Sequence, residues 1–323
     1  MPAAGGVDSY ANTIVTFDVP GAGQTLPYGI NIHGVITGYY YRSGHNYGFL
    51  RDSSGNFLSF NVAGASDTYP ASINDHGAVA GWYASALFPN PSHGFVRFAN
   101  GNVISFDPPG ATNTFATSID NLGVVAGYYS DSSGAVHGFL RSPAGVLIAV
   151  DAPGAGTGPS QGTVALSINA SAVVTGYYYD SNRVHHGFLR TAAGAFTTFD
   201  ATDCSETLSL SVNNQGASTG VCAIAGVSSG FLRSAAGVIV EYSIPDSTGL
   251  TPVGINDAGV VTGSYLDTNR LSHGYLRSHA GNVLVFDPVG SVNTTSTALN
   301  AAGAVTGFWI DASNGLHGFL RIP

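Results

Sequence analysis

The stretch that decides the fold runs from His93 to Arg141. It contains His93-Gly94-Phe95-Val96-Arg97, then Phe106-Asp107-Pro108-Pro109-Gly110-Ala111. Ile119-Asp120-Asn121-Leu122-Gly123-Val124-Val125-Ala126-Gly127-Tyr128-Tyr129 follows, and His137-Gly138-Phe139-Leu140-Arg141 completes it. The same order recurs through the whole chain. The Phe-Asp anchor falls at Phe17, Phe60, Phe106, Val150, Phe199, Tyr242 and Phe286, at intervals of 43, 46, 44, 49, 43 and 44 residues. The Gly-Phe-Leu-Arg anchor also occurs seven times, ending at Arg51, Arg97, Arg141, Arg190, Arg233, Arg277 and Arg321. A period of this length marks a solenoid, a propeller or an array.

Each copy holds four short β-like runs separated by turn residues. In the second copy these are Tyr69 to Asn74, Val79 to Tyr83, His93 to Arg97 and Val103 to Asp107. Asn74 to Gly77 supplies a turn in which Asn bonds its own backbone and Gly takes positive φ. No segment sustains a 3.6-residue apolar period, so helices are not expected. The pattern predicts an all-β, seven-bladed β-propeller with four antiparallel strands per blade, in one domain over 1–323. The chain opens, after a leader of 1–13, with a fourth-strand sequence (14–18) and stops after a third-strand sequence. The N-terminal strand is therefore expected to close the last blade and leave no free sheet edge.

Composition narrows the function. The chain has 323 residues, 44 glycines and 9% charged residues against 44% hydrophobic ones. A poorly charged but apolar chain folds rather than staying disordered. No apolar run reaches the length of a membrane span. A net charge of −9 with ten basic residues in all argues against nucleic acid, whose phosphates select a basic face.

Folding the third and fourth strands as a hairpin sets His against Asp five times. The pairs are His93–Asp107, His137–Asp151, His186–Asp200, His273–Asp287 and His317–Asp18. The two copies that lose the His lose the Asp too: Tyr47 faces Asn61, and Ser229 faces Ser243. These ten residues read as structural staples, because an imidazole and a carboxylate that satisfy each other are costly apart.

The motifs His-Gly-Phe-Leu-Arg, Phe-Asp-Pro-Pro-Gly-Ala and Ile-Asn-Asp-x-Gly-x-Val-x-Gly-Tyr-Tyr resemble the extracellular HAF repeat family of bacteria. The similarity covers essentially the whole chain, with Gly where the family's name has Ala. The resemblance implies an exported repeat protein and no defined reaction.

Positions alike in every copy are expected to be scaffold: the seven terminal arginines, and the second aromatic of Gly-Tyr-Tyr as packing between blades. The departures are the candidates. By analogy with other propellers, a ligand binds where the fourth-to-first and second-to-third loops converge. Arg42, Arg183 and Arg270 are the arginines outside the repeat motif. His45, Asp67, Tyr69, Phe88, Phe115, His185, Asp203 and Glu206 accompany them on that face. Arginines beside aromatics suit a polyhydroxylated or acidic ligand through bidentate bonds and ring stacking. The ligand-binding candidates are thus Arg42, His45, Tyr69, Phe88, Phe115, Arg183, His185, Glu206 and Arg270.

Three functions are compatible with this pattern. The first is a secreted, monomeric protein that binds glycans, glycoconjugates or another small polar or aromatic ligand. The second is a polysaccharide lyase or glycoside hydrolase with one site over the channel, built from Asp67, Tyr69, Asp203, Glu206, His45 and Arg42. The third is a structural or adhesive envelope module. No nucleophile elbow, P-loop or His-Glu-x-x-His helix is present, and the histidines are not spaced for a metal. Asp131, Asp180, Asp267 and Asp311 lie in loops that resemble fragments of calcium loops; turn formation is the expected role and no cofactor is expected, with calcium left as the alternative. Cys204 and Cys222 are brought to one end by a hairpin turning at Asn213 to Gly216, and a disulfide is expected there. The first residues, Met1 to Gly6, have no basic or apolar signal character, so the expectation is that any export signal is missing from this sequence.

Overall fold

The structure is a computed structural model that describes residues 13–87, 90–224 and 226–323. Every regular element in it is a β-strand. Twenty-eight strands fall into four-stranded antiparallel units, numbered 1 to 7 in chain order. Unit 1 spans 24–60, unit 2 spans 65–106, unit 3 spans 113–150 and unit 4 spans 162–199. Unit 5 covers 206–242, unit 6 covers 249–286, and unit 7 covers 291–322 together with Thr13–Phe17 as its fourth strand.

Unit 2 shows why this sequence builds such a sheet. Its strands are Ala65–Ile73, Val79–Ser85, Ser92–Arg97 and Val103–Phe106, paired first to second, second to third and third to fourth. The first strand carries a bulge between Pro70 and Ser72. In unit 3 the same bulge, between Ala116 and Ser118, brings the Phe115 carbonyl oxygen to 2.2 Å from where a Cβ on Gly127 would stand. Only glycine fits there, which explains the Gly of Gly-Tyr-Tyr. Gly94 is confined in another way, since a Cβ would lie 2.8 Å from the Phe106 ring packed over it. That contact ties the Gly-Phe-Leu-Arg motif to the Phe-Asp motif.

The apolar core lies in the seams between units. Ile73, Val79 and Phe95 of unit 2, with Val62 of the connection before it, pack with Val35 and Leu50 of unit 1. The repeat arginines bridge the same seams. Arg97 donates to its neighbouring carbonyl at Phe98 and lies 5.0 Å above the Phe60 ring of unit 1. Arg141 sits over Phe106 and Arg233 over Phe199 in the same way, at 5.0 and 4.9 Å. Each guanidinium thus spreads its charge over a ring of the preceding unit. Arg190 departs from this, facing Phe196 of its own unit at 6.0 Å.

The first and last described strands meet. Thr13–Phe17 runs antiparallel to Leu316–Ile322, with Phe17 opposite Gly318, and Arg51 of unit 1 lies 4.8 Å above the Phe17 ring. Units 7 and 1 also share direct hydrogen bonds: Thr297 Oγ1 donates to the Pro27 carbonyl and Asn300 Nδ2 to the Asn31 carbonyl, both at 2.9 Å. The strand begins one residue before the expected 14–18, and the rest of the expected leader lies outside the described residues.

Candidate functional site

All five His–Asp pairs are in contact. Nδ1 of His93, His186, His273 and His317 lies 2.7–2.8 Å from its Asp, and that of His137 lies 3.2 Å away. The second aromatic of Gly-Tyr-Tyr covers each imidazole, as Tyr129 covers His137 and Trp309 covers His317, at 5.1 and 4.6 Å between centroids. In four units a second carboxylate approaches Nε2: Asp131, Asp180, Asp267 and Asp311, at 3.4–3.8 Å. These are the loop aspartates whose sequence resembles calcium loops. Each Oδ1 also accepts backbone N–H groups of its own turn, as Asp131 does from Ser133 and Ala135. The Ser133 hydroxyl holds the Asp131 carboxyl down to about 2, and the Ser313 hydroxyl holds that of Asp311 there too. The sequence signal for this bracket was an Asp six residues before the His.

The position of Asp67 in the first strand recurs as Gln24, Asn113, Gly162, Glu206, Gly249 and Asn293. Where it is polar, this position is mainly a clasp between units. Asp67 Oδ1 accepts from the backbone and side-chain nitrogens of Asn46 at 2.8 and 3.1 Å. Asn113 and Asn293 accept from the backbones of Ser92 and Ser272 in the same manner. Glu206 instead places a carboxylate oxygen 3.2 Å from Nδ1 of His185, within ion-pair distance but off the hydrogen-bond axis, so the buried Nδ1 has no aligned partner. Asp67 and Glu206 therefore occupy equivalent places in units 2 and 5. Among the described residues no contact joins Asp67 or Tyr69 to Asp203 or Glu206. Asp203 is exposed in a turn at φ 60°.

Two residues further along the first strand, the units diverge. This position pairs with the first aromatic of Gly-Tyr-Tyr, giving Leu26–Tyr39, Tyr69–Trp82, Phe115–Tyr128 and Val164–Tyr177 in units 1 to 4. In units 5 to 7 the pairs are Leu208–Val221, Thr251–Ser264 and Thr295–Phe308. The aromatics form a half-buried arc, joined ring to ring through units 1 to 3 and followed by a separate cluster in unit 4. Tyr28 stacks on Tyr39 at 5.4 Å, Tyr39 meets Tyr69 edge-on at 5.0 Å, and Tyr69 stacks on Trp82 at 4.0 Å. Trp82 meets Phe115 at 5.2 Å and Phe115 stacks on Tyr128 at 5.0 Å. Tyr177 and Tyr179 enclose His185 at 5.2 and 4.1 Å. Burial, reinforced by neighbouring Tyr28, pushes the Tyr39 phenol well above its ordinary range, and burial with Asp67 raises that of Tyr69. These phenols remain neutral hydrogen-bonding groups.

Across from the arc, the small residues of units 5 to 7 leave a cavity of about 260 Å³. Ser228, Thr251, Ser264, Ser272, Thr295 and Ser296 line it together with Gly249, Val253, Leu266 and Tyr265, and no charged residue does. The Ser296 hydroxyl is buried without a partner among the described residues. The strand register thus brings Tyr69, Phe115, His185 and Glu206 of the expected site into or beside the arc. Asp67 is the clasp described above, and the other described candidates lie at strand ends or in exposed turns. Arg42 lies over Tyr40 and Tyr47, and His45 opens the next strand. Arg183 and Arg270 are exposed at turn positions with φ 66° and 64°. Phe88 lies outside the described residues. Sequence reasoning missed Tyr39, Trp82, Tyr128 and Tyr177, although their loss in the later repeats was visible.

At the far end of the first strands a second cavity, of about 270 Å³, receives residues from all seven units. Its wall repeats one position: Asn31, Asn74, Asp120, Asn169, Asn213, Asn256 and Asn300. Cys204 and Cys222 form the disulfide, with Cα atoms 5.6 Å apart. With Glu241 they are the one cluster of metal-ligating side chains among the described residues, and both sulfurs are committed to the disulfide. No helix among the described residues is long and apolar enough to cross a membrane.

Comparison with solved structures places this architecture. A catalytically inactive virginiamycin B lyase from Staphylococcus aureus with quinupristin superposes with a TM-score of 0.65, at 12% identity, over 97% of this chain and all of that one. A streptogramin B lyase gives 0.63 at 13% identity, over 98% of this chain and all of that one. TolB from Acinetobacter baumannii gives 0.52 at 8%, over 85% of this chain and 76% of that one. The fold is a β-propeller. Identities this low carry the architecture and nothing of the chemistry. No family model and no curated protein matches the sequence.

Proposed function

We propose that the chain is an exported, closed seven-bladed propeller that binds a neutral, ring-bearing ligand, a glycan or glycoconjugate, at the inner ends of its first and second strands. The sevenfold comparison carries this reading. Two positions that scaffold alone would keep alike are aromatic-rich in units 1 to 4. In units 6 and 7 they are small or hydroxyl-bearing, apart from Phe308. An aromatic wall offers stacking to the apolar face of a sugar ring, and the opposite wall offers hydroxyls to its edges. The absence of charge in the lining of the 260 Å³ cavity favours a neutral group there. The disulfide supports an oxidising compartment. The meeting of Thr13–Phe17 with unit 7 supports closure.

The test is a glycan array followed by calorimetry on the best hit. Trp82→Ala removes the stacked centre of the arc and should weaken binding about tenfold. Ser264→Trp restores the aromatic of unit 2 in unit 6 and should block the cavity. Binding unchanged in both variants, with melting temperatures intact, rejects the site.

One observation favours an enzymatic second reading: His185 stands beside Glu206 and is enclosed by two tyrosines. An imidazole within ion-pair distance of a carboxylate could serve as a general base in an elimination or hydrolysis once the two groups align on a bound substrate. On that reading Glu206→Gln abolishes turnover in a lyase and hydrolase screen while leaving the fold intact.

A further inference from the structure

The second cavity, at the opposite end of the first strands, contains an internal control for a missing partner. At the repeated wall position the side-chain oxygen accepts two backbone N–H groups of its own turn, as Asn74 Oδ1 does from His76 and Ala78. The amide nitrogen then donates to the same carbonyl of the next unit. Asn31 donates to Asn74, Asn74 to Asp120, Asn169 to Asn213, Asn213 to Asn256 and Asn300 to Asn31, all at 2.8–3.1 Å. Among the described residues, Asn256 of unit 6 has the amide but does not make this bond, whereas unit 3 cannot make it at all, because Asp120 has no amide. Its Oδ1 keeps the two turn bonds, from Leu122 and Val124 at 2.9 and 2.8 Å. By the equivalence of the units, its Oδ2 takes the place of the amide nitrogen that elsewhere donates to the next unit's carbonyl, here that of Asn169. Asp120 is 4% exposed, and Oδ2 is buried with no hydrogen-bond partner among the described residues.

An acceptor facing an acceptor in a buried seam repels unless something positive stands between them. We propose that the seam between Asp120 and Asn169 binds a hard inorganic cation, which replaces the missing amide proton and completes the wall. The surroundings fit such an occupant. Asp75 and Asp257 line the same cavity, and no Arg or His does. The two other carboxylates of the cavity are already bonded, Asp75 to Asn121 at 2.7 Å and Asp257 to Asn214 at 2.9 Å, which leaves the Asp120 oxygen as the free anionic ligand. Carboxylate, carbonyl and water oxygens suit alkali and alkaline-earth ions and disfavour soft metals. Burial raises the Asp120 carboxyl above its ordinary range, which marks the bare anion as poorly solvated in this cavity.

The experiment is thermal unfolding of the full chain at pH 7.5 after chelation. NaCl, KCl, CaCl2 and MgCl2 are titrated separately against choline chloride at constant ionic strength. The expected result is a saturable rise of several degrees with at least one of the four metals. Asp120→Asn, which restores the amide used by the other units, should melt at least as high without metal and ignore its addition. Equal responses in wild type and variant, or none beyond choline, overturn the proposal. A metal-independent gain in wild-type stability from pH 7.5 to pH 5 that Asp120→Asn lacks also overturns it, because a proton would then bridge the seam.

Discussion

Replacing Phe17 by alanine tests whether the first strand holds the last unit together. Phe17 is 9% exposed, stands over Gly318, touches Phe57 at 6.0 Å between centroids and carries Arg51 on its face. Its counterpart inside the chain is Phe286, 4% exposed, beside Phe319 at 5.9 Å and under Arg321. Truncating a buried Phe costs about 3–5 kcal/mol through lost transfer energy and the cavity left behind. Losing the ring beneath an arginine adds about 0.5–1 kcal/mol. Both variants should therefore lose about 4 kcal/mol, or roughly 8 °C in melting temperature at about 2 °C per kcal/mol for a chain of this size. Urea unfolding followed by tryptophan fluorescence, together with calorimetry, measures both. If the N-terminal strand merely rests on the surface, Phe17→Ala will stay within about 0.5 kcal/mol of wild type while Phe286→Ala falls. That outcome refutes closure by the chain ends. Deleting residues 1–18 removes the whole five-pair ladder and the His317–Asp18 contact, and should cost more than either point change.

Two further outcomes follow from the staples and the disulfide. Burial opposes the charge on His317, but Asp18 and Asp311 outweigh it and raise its pKa above 6.5. The folded protein thus holds this proton more tightly than the unfolded chain does. The stabilisation is complete below about pH 6.5 and is lost as the pH rises through the raised value. Asp311, held at about 2, contributes above the ordinary carboxylate range and loses that contribution as the pH falls toward 2. The stability difference between wild type and His317→Gln should therefore be largest in weakly acidic solution. A difference that stays flat from pH 5 to 8 contradicts this account. Reducing Cys204–Cys222, which closes a separation of 18 residues, should cost about 3 kcal/mol. An unchanged urea midpoint in dithiothreitol would remove its structural role.

Local chemistry made much of this molecule legible. The Gly-Phe-Leu-Arg and Phe-Asp motifs meet because a hairpin must set Gly94 beneath Phe106, and the same register sets His93 against Asp107. The cysteines were legible for the same reason, since one hairpin carries both. Asp67 and Glu206 were harder to read. As isolated carboxylates in a loop region they look like catalysts, but Asp67 serves as a clasp to the preceding unit and Glu206 is held against its His185. That choice depends on which third-strand nitrogen the preceding sheet presents.

The sequence by itself determined the repeat, its four strands, the pairing of ends and the staples, because each depends on residues joined by one turn or one period. Tertiary structure decided where the aromatics of units 1 to 4 gather, where units 5 to 7 leave a cavity, and that the Asp120 carboxylate is buried with one oxygen unpartnered. Those relations cross seams between sheets about 45 residues apart, where geometry is set by the packing of whole units and not by any local pattern.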